Sequence, residues 1–260
     1  MPPHQSLART APWALALTAV AGACRSPAAE PAVVRVAAAA DLSDAFAEVG
    51  LAFEKATGQK VLFTFGSSGL LATQISQGAP FDVFAAASRH YAEQTVIASS
   101  CDRHSMAGYA RGRLAIWSNG KETWTPKTLA ELADPRVARI AIANPDHAPY
   151  GLAAKQALER AGVWQAVSAK LVLAENVRQT LQFAATGNAD VALVALSLVI
   201  QDRRHPWTLI DDALHQPLQQ TLVVCKGGKN PVAGQDFAQF LLSSPGRAIL
   251  ERYGFAQPDH

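Results

Sequence analysis

Ser67 and Ser68 lie between Gly66 and Gly69 in FTFGSSGLLATQI, the stretch from Phe63 to Ile75. A hydroxyl in a turn that follows a strand and opens a helix can attack a carbonyl, or it can donate a hydrogen bond to a bound ligand. Attack from such a turn uses the spacing Gly-x-Ser-x-Gly, which exposes the nucleophile. Gly66-Ser67-Ser68-Gly69 does not have it. The chain also lacks the Gly-x4-Gly-Lys-Ser/Thr run that cradles nucleotide phosphates. His90, His104, His147, His205, His215 and His260 are scattered, with no His-Glu-x-x-His pair. Asp82, in APFDVFAAAS, is an acid or base without an evident partner.

Holding a ligand fits better, because three other turns are built alike. AAADLSDAF puts Asp41 and Ser43 after a strand and at a helix start. APYGLAAKQAL does this with Tyr150 and Gly151, and LAENVRQTL with Asn176 and Val177. A helix start presents unpaired N–H groups and about half a positive charge. Several aimed at one place make an anion site without Lys or Arg. Taken singly, each polar residue is more simply a cap on its own helix. Four such turns together favour a ligand.

These turns need strands to end beside one another, and the pattern supplies them. Strands are predicted at 33–39, 61–65 and 82–86, with helices at 42–56 and 70–77 stopped by Gly58 and Gly78. A second series follows: strands at 109–117, 139–143, 170–173 and 189–195, a short helix from Leu129, and helices at 151–161 and 177–185. A late strand at 219–225 and a pair of helices over 235–253 close the chain. This order predicts two α/β units with mainly parallel sheets flanked by helices. In such sheets ligands bind at the carboxyl ends of the strands, where these turns lie.

The 260 residues are 49% hydrophobic, enough for one large domain or two lobes with cores. The net charge of +2 is not clustered, so no nucleic-acid partner is expected. His4 and Arg9 precede the apolar stretch APWALALTAVAGA at 11–23, which is short for a bilayer span and has signal-peptide length. Ala21-Gly22-Ala23 fits ordinary cleavage, giving a signal peptide over 1–23. The same residues before Cys24 also resemble a lipobox, with Ala21 where Leu is usual. In that case Cys24 is lipidated and attaches the protein to a membrane. Residues 24–32 read as a flexible tether, and by either route the mature chain leaves the cytoplasm. Cys101 and Cys225 then meet an oxidising compartment, where they either pair or stay as separate thiols. No Cys-x-x-Cys supports a zinc site, and no direct metal ligands are expected.

The stretch VAAAADLSDAFAEVGLAFEKATGQKVLFTFGSSGLLATQISQGAPFDVFAAAS, with YARGRLAIWS, APYGLAAKQALERAGVW, LVLAENVRQTLQFAATGNADVALVALS and the terminal AILERYGF, closely resembles the periplasmic molybdate-binding proteins of molybdate ABC importers. The resemblance runs from about Val33 to Phe255. It implies a two-lobe periplasmic-binding-protein type II fold, each lobe a mainly parallel sheet flanked by helices, with the ligand in the cleft between. Lobe 1 would be 33–110 with 219–260, and lobe 2 would be 111–218. It also implies a periplasmic monomer that binds molybdate or tungstate and delivers it to an importer permease, without catalysis or cofactor.

The family's contacts fall here on Asp41, Ser68, Tyr150 and the amide of Val177, with Leu42, Ser43 and Ser67 as additional candidates. Some members add a tyrosine where this chain has Ala195, and the Tyr150 phenol is expected to replace it. Asp41 departs from the family's small hydroxyl residue, and its carboxylate would repel a dianion. It is read as a helix cap facing away, with its own amide or those of Leu42 and Ser43 as donors, and Ser43 supplying the lost hydroxyl. Ser88 is a second departure, where many members have aspartate. Two other readings stand beside this one: a binder of another tetrahedral oxyanion such as sulfate, and an exported serine hydrolase using Ser68.

Overall fold

Apart from Met1, the computed structural model describes residues 33–120 and 125–258. The expected signal peptide, tether and lipidation at Cys24 lie outside the described residues. Strand β1 (Val33–Ala39) leads through a 3-10 turn into α1 (Ser43–Thr57). Then come β2 (Lys60–Gly66), α2 (Ser68–Ser76), β3 (Val83–Ala86), α3 (Arg89–Ile97) and β4 (Ala107–Gly112). A second series follows: β5 (Leu114–Ser118), β6 (Ile140–Ala143), α4 (Pro149–Arg160), α5 (Trp164–Val167), β7 (Leu171–Ala174), α6 (Val177–Ala185), β8 (Val191–Ala195) and β9 (Trp207–Leu209). The chain closes with β10 (Leu218–Val224), α7 (Pro231–Leu242) and α8 (Ser244–Arg252).

The strands form two five-stranded sheets, β2-β1-β3-β10-β4 and β7-β6-β8-β5-β9. In each, three neighbours run parallel and the fourth strand is reversed, β10 in one and β5 in the other. The expected two-lobe fold, with a mainly parallel sheet in each lobe, is the fold the protein has. Helices cover the sheets, so the inner strands are buried and read as unbroken apolar runs: Ile140–Ala143 and Val191–Ala195 are buried throughout. Helix α1 buries Ala45, Phe46, Val49 and Phe53 at helical spacing. It ends at Gly58, whose φ of 72° suits a residue without a side chain. Phe46 packs on Phe63 with centroids 5.2 Å apart, and Phe53 on Phe237 at 5.3 Å.

Residues 109–117, read from sequence as one strand, are two strands in different sheets. The chain leaves the first sheet after Gly112 and enters the second at Leu114. Arg113 stands at the crossing, its Nε donating to the Gly254 carbonyl at 3.1 Å. An apolar run carries no mark of the sheet to which each half belongs. Three elements were not foreseen, among them the four-residue α5. Helix α3 is amphipathic only weakly, burying Ala92 and Thr95, and β9 is three residues long. The return crossing runs from β9 to β10. Cys101 and Cys225 form a disulfide beside the paired strands β4 and β10, which settles the two options left open by sequence.

Candidate functional site

The ends of β1 and β2 face those of β6 and β7 across a pocket lined by Asp41, Gly66, Ser67, Ser68, Tyr150 and Val177, with Ala39, Ala40, Ala87, Ala148, Pro149 and Asn176 between them. Its cavity volume is about 10 Å³, room for roughly one water-sized sphere. That is far below the ~300–1,000 Å³ of pockets for drug-sized molecules, so only a very small ligand suits it. The lining has no Lys, Arg or His. Alanines at the end of β1 keep side chains out of the way, so the backbone itself faces the space.

Each helix start contributes in its own way. Ser67 precedes α2 in extended conformation without capping it, and its hydroxyl instead meets His147 Nδ1 at 2.8 Å. Ser68 opens α2, fully buried, and its Oγ accepts the Ala87 amide at 3.0 Å. The hydroxyl hydrogen is therefore turned elsewhere. Helix α4 begins at Pro149, two residues earlier than sequence suggested, because proline suits the first helical position. The amides of Tyr150 and Gly151 follow in the first turn, where no intrahelical partner exists. A side chain at Gly151 would meet the Ala143 carbonyl at 2.1 Å, so glycine lets α4 start against the end of β6. Asn176 caps α6 by accepting from the amides of Arg178 at 3.1 Å and Gln179 at 3.0 Å, which leaves the amide of Val177 unused by the cap.

Asp41 overturns its expected role. It caps no helix: its turn starts from Ala39, α1 is preceded by Leu42, and neither start has a side-chain cap. The carboxyl is buried instead, with Oδ2 accepting from Gln220 Nε2 at 2.7 Å. Gln220 in turn accepts from the Tyr109 hydroxyl at 3.1 Å. Burial pushes the Asp41 carboxyl up to about 7, against the pull of Tyr150 and Gln220. The Tyr150 hydroxyl lies close enough to steady the charged form, yet it makes no hydrogen bond of good geometry, and Asp41 Oδ1 is likewise buried without a partner. The phenol ends near Gly112 and Gln220. Burial raises the Tyr150 and Tyr109 phenols well above the ordinary value.

Leu42 and Ser43 stay outside the lining. The Ser43 hydroxyl and the Asp44 carboxylate are held by Arg178, the latter at 2.6 Å. Ser88 precedes α3 without capping it. Asp82 has a structural task, accepting from the amides of Arg35 and Asn230 at 2.7 and 2.8 Å. Sequence reasoning missed Ala87 and Gln220. Ala87 follows the end of β3 with nothing polar to mark it, and Gln220 lies 179 residues from its partner.

For a nucleophile, Ser68 has the wrong surroundings, since its hydroxyl is bonded to a main-chain amide. Ser67 has a histidine, but no carboxylate holds that ring's other nitrogen among the described residues. No cluster of three or more His, Cys, Asp or Glu able to hold a metal ion occurs among them.

A family model described as "Bacterial extracellular solute-binding protein" matches residues 34–256. A molybdate-binding protein of Azotobacter vinelandii is 36% identical over 237 residues, covering 90% of this chain and 92% of that one. Its counterpart from Rhodobacter capsulatus is 35% identical over 229 residues, covering 88% and 90%. The solved periplasmic molybdate-binding protein of Azotobacter vinelandii superposes with a TM-score of 0.82 at 29% identity, over 87% of this chain and all of that one.

Proposed function

Since the chain belongs to the bacterial extracellular solute-binding protein family, we propose that it binds molybdate outside the cytoplasm and hands it to the permease of an ABC importer. The observation that carries this reading is the convergence of strand ends and helix starts on a small pocket without a basic side chain. A dianion there is balanced by helix N-termini and hydrogen bonds. The contacts are the Ser68 hydroxyl, the amides of Tyr150 and Val177, and the Asp41 turn. Ser67 holds His147 at the rim. Tungstate, of nearly the same size and charge, is taken the same way.

Each sheet with its helices acts as one lobe, and closure on the ion turns about the crossings at Arg113 and at 210–217. His147 spans the cleft, its carbonyl accepting the Gly69 amide at 2.9 Å. Ser197 spans it too, donating to the Asp41 carbonyl at 2.7 Å. The protein works as an exported monomer, and the intact mass of the mature chain tells cleavage before Cys24 from lipidation on it. Titration calorimetry with molybdate, tungstate, sulfate and phosphate tests the reading. Molybdate and tungstate should bind, and sulfate and phosphate far more weakly. Preference for sulfate would make this a different oxyanion carrier, and turnover of an ester substrate would point to a hydrolase.

A further inference from the structure

We propose that Asp41 enters binding as a neutral acid whose Oδ1 carries a proton toward the oxyanion, so that the pocket captures each dianion together with one proton from solvent. The proposal rests on the oxyanion reading of the pocket. Its geometric ground is a pair of orphaned atoms. Asp41 is 1% exposed, lines the pocket, and spends Oδ2 on Gln220. Its Oδ1 has no hydrogen bond of good geometry, and neither does the adjacent Tyr150 hydroxyl, which lies close enough to pull the acid's titration down in part. An ionised carboxylate with one oxygen poorly paired in a buried site is costly, more so beside a dianion. With a proton on Oδ1 the same group becomes a donor, which is what a fully deprotonated oxyanion requires.

The surroundings support the neutral form. Asp41 is faced by the Tyr150 phenol from α4, the Tyr109 phenol from β4, the Gln220 amide from β10 and the Ser197 hydroxyl at its main chain. Both phenols stay protonated through the physiological range. From α6, Arg178 turns to Ser43 and Asp44 on α1, and on β4 Arg111 pairs with Asp212 at 3.6 Å. What acts on the carboxyl is its burial, opposed by hydrogen bonds, which puts its titration near neutrality. A dianion alongside raises it further. Binding above about pH 7 must then draw a proton from solvent.

One other titratable group touches the site: His147, which bonds Ser67 at the rim. A protonated imidazole at the rim would also favour an anion. The test must therefore separate the two. Calorimetry of the mature protein with molybdate, from pH 6 to 9 and in two buffers of different ionisation heat, reads both affinity and protons exchanged. The expected result is an affinity that falls about tenfold per pH unit above neutrality, with about one proton taken up per anion. Asp41→Asn, whose amide imitates the neutral acid, should bind with a flat pH profile and no uptake, while His147→Gln keeps slope and uptake. Tight binding that is independent of pH and moves no proton would overturn the proposal and leave the oxyanion reading standing. So would a slope that survives in Asp41→Asn and vanishes in His147→Gln. The proton count on His147→Gln decides the matter even if Asp41→Asn does not fold. No heat with molybdate, tungstate, sulfate or phosphate at any pH would bring down the oxyanion reading, and this proposal with it.

Discussion

The Ser68 hydroxyl has one duty already, as acceptor for the buried Ala87 amide. Ser68→Ala removes that acceptor along with the donor to the ion. Affinity for molybdate should fall by about 1.5–3 kcal/mol, the worth of a hydrogen bond to a charged group. Stability without ligand should also fall, by about 1–3 kcal/mol, because Ala87 is left with an unsatisfied N–H. Calorimetry and urea unfolding of the variant check the two effects separately. Unchanged affinity would remove Ser68 from the site. Asp41 makes a second residue-scale prediction. Its carboxyl titrates near 3.8 when unfolded and at about 7 when folded. Between those values the folded chain keeps a proton that the unfolded chain has lost. The stabilisation is full below pH 3.8, declines as pH rises and is gone above pH 7. The whole effect is on the order of 4 kcal/mol at most. The ligand-free protein should therefore resist urea better at pH 5 than at pH 8, and Asp41→Asn should remove that part of the difference. An identical slope in the variant would show that other groups carry it. Ser68, Tyr150 and Val177 were legible because strand, turn and helix start are adjacent in the chain. The place of Asp41 was not, because its partners Gln220 and Tyr109 come from strands far along the sequence.

At the scale of elements, the close approaches are what sequence hides. Gly69 in α2 lies so near the His147 carbonyl that a methyl group there would sit 2.7 Å from it. That contact joins the end of the first sheet to the loop after β6. Gly69→Ala should hold the cleft rim apart and weaken molybdate binding at least tenfold, while the thermal midpoint without ligand changes little. Scattering profiles with saturating molybdate should show a less compact variant than the wild type. Equal affinity and equal compaction would mean that His147 does not mark the closing edge. Helix ends read better from sequence than helix starts. Gly58 stops α1 by its own backbone freedom and α6 was read with its observed bounds, whereas α2 and α4 begin two residues earlier than the apolar spacing suggested, α4 because Pro149 suits its first position. The split of 109–117 was not visible, because nothing in YARGRLAIW says that Gly112 and Leu114 belong to different sheets.

For the whole molecule, the two sheets share one strand order and are stitched by two crossings, the connection that the proposed closure of the lobes would turn about. The disulfide respects this division: Cys101 and Cys225 lie beside β4 and β10 in the same sheet, at a sequence separation of 124. It should stabilise the fold without restraining closure. The pair of changes Cys101→Ser and Cys225→Ser should cost about 2–5 kcal/mol, as for removal of a native bridge, yet leave the molybdate affinity of the folded protein within a factor of about two. Urea unfolding and calorimetry read both, and a large loss of affinity would place the bridge in the closing motion. The alternation of strands and helices made the two lobes legible, and the long contacts that bind them were not. The central claim is that one oxyanion sits where the helix starts meet, and anomalous diffraction at the molybdenum edge, on crystals grown with molybdate, tests it most directly. The expected result is one strong peak between Ser68 and the amides of Tyr150 and Val177, its oxygens within hydrogen-bond reach of all three. An empty pocket, or a peak outside it, would contradict the account.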